Sequence, residues 1–255
     1  MFARRLHILV GCGLIVCCTS VRVHANRAGA PPFRNGSTAS SGTNCSACHA
    51  SSLGHTTGSV QILNAPLEYN LNRLYDITVR VADSVQAGAG FEFSAESVTG
   101  AFRGTLIITD ATNTRHPTGS GGTNFVTHTS TGVSNAVTNW AGMGNAAQYN
   151  FRWRAPATNQ GQVNFWAAGN AINNNLANSG DRVYLTNRSV LPAICDKADV
   201  NEDLLKDSLD INAFIDVFLS PNSATPRRYC ASDINDDGVI DLMDAALLVD
   251  VLLDP

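Results

Sequence analysis

The sequence predicts a mainly β chain: a two-sheet sandwich followed by a small, acidic, helical module. Three observations lead there. Between Ser59 and Thr186, short runs alternate apolar and polar residues with period two, separated by turns and with no long amphipathic helix among them. Only 15% of the 255 residues are charged and 44% are apolar, with 21 Gly and many Asn, Thr and Ser. This suits a loop-rich β protein with a real core rather than a disordered chain. Finally, residues 26–194 carry 10 Arg and 7 acids, a charge of +3, whereas residues 195–255 carry 4 basic residues and 14 acids, a charge of −10. So abrupt a shift, just after Leu191-Pro192, marks a domain boundary.

The first element is an address. Residues 1–25 open with Arg4-Arg5, continue through an apolar run from Ile8 to Cys18 and end in Val-His-Ala. The run is too short to span a bilayer stably, and the small residues flanking His24 suit a signal peptidase, so the segment reads as a secretory signal peptide. Its removal leaves 14 basic and 21 acidic residues, a charge of −7, and four cysteines, Cys45, Cys48, Cys195 and Cys230. No later segment is apolar for long enough to form a membrane span. The acidic balance argues against sequence-independent nucleic-acid binding, which needs a basic face. The expected location is the periplasm, the cell surface or the extracellular space.

Residues 26–58 are rich in Gly, Ser and Pro, and the stretch from Asn26 to Asn44 is expected to be extended. It leads to Cys45-Ser46-Ala47-Cys48-His49. Two thiols at this spacing can add to the two vinyl groups of haem, and the adjacent His can supply the proximal iron ligand. Covalent haem c on Cys45 and Cys48, with His49 as axial ligand, is the expectation. A Cys48–Cys45 disulfide and a zinc half-site are the alternatives for this spacing. For the sixth iron position the candidates are His128, on an expected strand, then His55, Met143 and His116.

The middle of the chain, residues 59–190, offers seven or eight strands. They include Tyr75–Val81, Gly90–Ala95, Phe102–Asp110, Asn124–Thr129, Tyr149–Arg154, Val163–Ala167 and Arg182–Thr186. That number of short strands suggests an immunoglobulin-like sandwich of about 130 residues. Phe91, Phe93, Trp153, Phe165 and Trp166 are expected in its core. Phe91-Glu-Phe93, Phe125-Val-Thr-His128-Thr129, Phe151-Arg-Trp153 and Val163-Asn-Phe165-Trp166, with Ser179-Gly180-Asp181, make the segment resemble a Reeler-type sandwich. The whole of Pro31–Thr186 is similar to the bacterial choice-of-anchor V group, in which such a sandwich follows a Cys-x-x-Cys-His segment. A His like His128 also occurs in Reeler-type domains that lack the haem motif.

The acidic end is a repeat. Asp233, Asn235, Asp237, Asp241 and Asp244 stand at positions 1, 3, 5, 9 and 12 of a loop with Gly238 at position 6. This is the spacing of an EF-hand-type calcium loop, to which the peptide oxygen of Val239 adds a ligand. Asp199, Asn201, Asp203, Asp207 and Asp210 repeat the pattern 34 residues earlier, with the peptide oxygen of Leu205 at position 7. Here Leu204 replaces the glycine, which must strain or open the turn, so two Ca²⁺ sites are expected, the first weaker. An apolar, helix-like stretch follows each loop, Ile211–Leu219 and Ala245–Leu253. Residues 195–255 thus resemble a dockerin type I module. The resemblance implies a cohesin-like or cell-surface partner, although Ser208-Leu209 and Leu242-Met243 depart from the hydroxyl-rich pairs of cellulosomal dockerins. A Cys195–Cys230 disulfide would tie the two halves together.

No Gly-x-Ser-x-Gly, phosphate-cradling loop or His-Glu-x-x-His is present. Glu92 and Glu96 are the remaining carboxylate pair for a glycosidase, a role nothing else in the sequence supports. The sequence therefore predicts an exported monohaem cytochrome c that serves a redox partner protein by electron transfer and carries a calcium-stabilised attachment module. The alternative is a non-redox adhesion or scaffold protein.

Overall fold

The computed structural model describes residues 26–49 and 53–253; the predicted signal peptide lies outside them. Among the described residues, ten strands form two sheets. They are β1 (Gly58–Leu63), β2 (Glu68–Tyr69), β3 (Leu74–Asp83), β4 (Gly88–Glu96), β5 (Thr105–Ile107), β6 (Thr114–Arg115), β7 (Phe125–His128), β8 (Ala146–Arg154), β9 (Val163–Ile172) and β10 (Arg182–Pro192). One sheet has the order β1-β3-β8-β5 and the other β2-β10-β9-β4-β7-β6. Every pairing is antiparallel except that of β2 with β10.

The sequence alternation decides which face is which. From Ala147 on, β8 alternates buried and exposed residues, so Tyr149, Phe151 and Trp153 enter the core while Gln148, Asn150 and Arg152 meet water. Phe91 and Phe93 face them from β4, with Phe91 stacked 4.5 Å from Tyr149, and Phe165 meets Trp153 edge-on at 4.9 Å. These rings fill the space between the sheets. Trp166 corrects one expectation. Adjacent strand residues point to opposite faces, so with Phe165 inside, Trp166 is turned to the outer face and is only partly buried.

All nine residues of β4 are buried. Its outer face carries Glu92, Ser94 and Glu96, and the N-terminal segment covers them. The segment is not the extended stretch expected from its composition. It folds into turns, held by the Asn35–Asn44 bridge and by the Gly36 N–H bonded to the Thr43 carbonyl at 2.8 Å. Asn35 Nδ2 donates to Ser94 Oγ (2.6 Å), the Ala39 N–H to Glu96 Oε2 (3.0 Å) and the Arg34 N–H to Glu92. Glu92 and Glu96 are thereby sealed beneath the segment as acceptors, which removes them as a solvent-facing glycosidase pair.

A helix interrupts the β pattern. Helix α1 (Ser130–Asn139) links β7 to β8, capped by Thr129 Oγ1 accepting from the Gly132 N–H at 2.9 Å. Its Ser, Thr, Gly and Asn content has low helix propensity, so the helix was not legible in the sequence. It forms because Val133, Ala136 and Trp140 bury against the sandwich.

After β10 come α2 (Leu209–Leu219), α3 (Pro226–Ser232) and α4 (Leu242–Leu253), around a second hydrophobic cluster that includes Val200, Phe214, Val217, Tyr229 and Leu248. The Cys195–Cys230 disulfide is formed. This module touches the sandwich at the β2–β3 turn: Asn72 Nδ2 donates to the Asp236 carbonyl at 2.6 Å, and the Arg73 guanidinium lies 3.5 Å from the centre of the Tyr229 ring.

Candidate functional site: a two-histidine cavity

The Cys-x-x-Cys-His motif folds as a single helical turn. Asn44 caps it, its Oδ1 accepting from the Ser46 N–H at 3.0 Å, and the His49 N–H bonds the Cys45 carbonyl at 3.0 Å. A helical turn brings residues three and four apart onto one side, so Cys45, Cys48 and His49 present to the same space. Both thiols are free, so the Cys45–Cys48 disulfide alternative is not realised. Cys45 is buried against Ala168 and Val183 on the outer sheet face, and burial pushes its thiol well above the usual thiol range.

That space is a cavity of about 330 Å³ between the N-terminal segment and the six-stranded sheet. Cys45, Cys48 and His49 stand in its wall together with His128. His49 Nδ1 lies 2.6 Å from Asp181 Oδ2, and the Asn170 amide nitrogen lies 3.0 Å from Nδ1 and 3.3 Å from Nε2. His128 closes strand β7, where its Nδ1 accepts the Phe91 N–H at 3.0 Å. The ring is seated over Gly90: a Cβ there would come within 2.5 Å of His128 Cε1, so only glycine leaves room. Burial holds His128 neutral, lowering its pKa to about 4, and the nearby His49 adds to the shift.

Val133, Ile172 and Leu176 give the cavity apolar walls, and Arg27 and Arg34 give it a cationic side. Arg34 Nη1 donates to the Phe33 carbonyl, but its Nε is buried without a partner. An apolar slot with thiols and an imidazole in its wall, a second imidazole and an unsatisfied guanidinium fits a large, planar, acidic group such as haem.

Among the described residues, no three His, Cys, Asp or Glu side chains converge on one point at metal-ligand distance. That holds for the Cys45–His49 turn and for the two acidic loops alike. The other sixth-ligand candidates stand elsewhere. His55 is not among the residues lining the cavity. His116 Nδ1 is bonded to the Phe125 carbonyl at 2.8 Å, and Met143 is half exposed beside a different cleft. Sequence reasoning missed Asp181, Asn170, Gly90 and Arg34. The available signal was scarcity: Asp181 is one of only seven acids between residues 26 and 194, and it follows Gly180 directly.

The two acidic loops have matching internal hydrogen bonds. Asp199 and Asp233 each accept two N–H groups, from Asp203 and Leu204 in the first loop and from Asp237 and Gly238 in the second. Asn201 and Asn235 accept from Asp203 and Asp237, and those two accept from Leu205 and Val239. Asp207 and Asp241 accept from Leu209 and Met243. Asp210 and Asp244, fully buried, each bond three N–H groups of their own loop. Leu204 adopts φ +72°, as Gly238 adopts +86°, so the first loop keeps the turn and bears its strain.

No protein-family model and no curated protein sequence matches the chain. Among solved structures it is similar to the reeler domain of human F-spondin, at 17% identity with a TM-score of 0.38, over 55% of this chain and 92% of that one. Another structure of the F-spondin Reelin-N domain gives 17% and 0.39, over 59% and 96%. A collagen-binding domain from a Staphylococcus aureus adhesin gives 8% and 0.29, over 54% and 99%.

Proposed function

We propose that the protein is an exported monohaem c-type cytochrome whose calcium-stabilised C-terminal module attaches it to a partner. The observation that carries this reading is the gathering of Cys45, Cys48, His49 and His128 around one cavity. Cys45 and Cys48 would hold the group by thioether bonds, and His49 and His128 would ligate its iron. A bound haem would supply a one-electron couple, which needs no further acid or base. The chain's own residues do the rest. Val133 and Ile172 would exclude water, and Arg27 and Arg34 would face the acidic edge of the group. Gly90 lets the His128 ring lie flat against β4.

Calcium in the two loops is supported by charge. Asp199 and Asp210 are buried, and among the described residues neither has a cationic partner. Buried carboxylates served only by neutral N–H groups call for a counter-ion. A second reading, a non-redox cell-surface adhesion or scaffold protein, rests on the sandwich and on exposed apolar residues such as Leu209, Leu219, Leu242 and Met243, which need no cofactor.

Optical spectroscopy separates the two. The full chain, exported in cells that mature c-type cytochromes, is expected to show a reduced haem c spectrum, and His128→Ala is expected to change that spectrum. A protein without haem absorbance supports the second reading. An unchanged spectrum in the variant removes His128 as a ligand.

A further inference from the structure

The cavity holds a buried carboxylate that thiol attachment does not require. Asp181, at the entry to β10, is 3% exposed, and its Oδ2 lies 2.6 Å from His49 Nδ1. Its Oδ1 accepts the Asn173 N–H at 3.2 Å, which fixes the carboxylate plane. Among the described residues no Lys or Arg pairs with it, so His49 is its only charged or chargeable partner. The second polar neighbour of the His49 ring is Asn170, whose amide nitrogen lies 3.0 and 3.3 Å from the two ring nitrogens and whose Oδ1 is buried without a partner.

We propose that Asp181 is the positioning residue of His49: it accepts the Nδ1–H in a hydrogen bond, presents Nε2 as the ligating atom and, by its charge, lowers the reduction potential of the centre. The inference rests on the haem reading and deepens it. Three physical points carry it. A carboxylate acceptor at 2.6 Å selects the tautomer with hydrogen on Nδ1, leaving the Nε2 lone pair for a metal. Ligating histidines commonly use such an outer partner, which orients the ring and raises its basicity. A buried negative charge one imidazole away from the iron stabilises the more positive, oxidised state, because a low-dielectric setting screens it little.

The test uses the full chain carrying covalent haem. Asp181→Asn keeps the size and an acceptor but removes the charge, and Asp181→Glu keeps the charge. The Asn variant is expected to have a higher midpoint potential and a lower iron–histidine stretching frequency than wild type, with the attached mass unchanged. The Glu variant is expected to recover part of both shifts. Equal potentials for wild type and Asp181→Asn, with haem attached in both, overturn the proposal while leaving the haem reading intact. Absence of haem from wild type overturns both, and the mass of the wild-type protein tells these failures apart. If Asp181→Asn does not fold, a potential for Asp181→Glu no nearer to wild type than that of Asp181→Ala likewise overturns it.

Discussion

Glu92 shows how burial turns one side chain into a pH-dependent quantity. It is fully buried beneath the N-terminal segment, and loss of water raises its pKa from an ordinary 4.5 to about 8, against the opposing pull of the Arg34 N–H and guanidinium. Between those two values the folded chain binds a proton that the unfolded chain has released. Stability from this group is therefore complete below about pH 4.5 and is lost as pH rises through about 8. Glu92→Gln removes the titrating group. Urea unfolding of wild type is expected to lose on the order of a few kcal/mol between pH 5 and pH 8 that the variant retains. Equal slopes for the two proteins would contradict the buried, protonated carboxyl. The composition of residues 26–44 hid this contact, because turns that pack on Glu92 and Glu96 through the Arg34 and Ala39 N–H groups leave no periodic pattern.

Elements with a strong period were legible, and those held by tertiary contact were not. The alternation in Tyr75–Val81 and Tyr149–Arg154 marks β3 and β8, which pair along their length. The two-residue strands β2 and β6 are too short to carry a period, and α1 contains residues that favour turns. The two acidic turns were legible as a repeat, because the same residue types recur at the same spacing, and Leu204 takes the left-handed conformation that Gly238 takes in the second. Leu204 is 85% exposed, so replacing it loses no packing, and a left-handed non-glycine residue costs roughly 1–2 kcal/mol. Leu204→Gly is expected to stabilise the C-terminal module by about 1 kcal/mol in thermal unfolding. A loss of stability would show that the first loop does not depend on that turn.

At the scale of the whole molecule, the N-terminal segment, the sandwich and the acidic module meet through a few specific contacts. The second loop presses on the β2–β3 turn so closely that a Cβ on Gly238 would lie 2.5 Å from the Asn72 carbonyl carbon. Calcium bound in that loop would therefore be felt at the sandwich. A ligand bound only by the folded state must stabilise it, so a chelator is expected to lower the unfolding temperature of the module. A transition indifferent to the chelator would contradict calcium binding. The candidate site was legible in part: the thiols and His49 from five consecutive residues, and His128 from its strand. Gly90, Asn170 and Asp181 were not, because they come from β4, β9 and the turn before β10, which only folding brings together.

The central claim, that Cys45 and Cys48 carry covalent haem, is tested most directly by intact-mass measurement of the exported full chain matured with c-type machinery. A mass increase of one haem is expected, mapping to the peptide that contains residues 45–49 and absent from a Cys45→Ser/Cys48→Ser variant. A wild-type protein with the mass of the bare chain and two free thiols would contradict it.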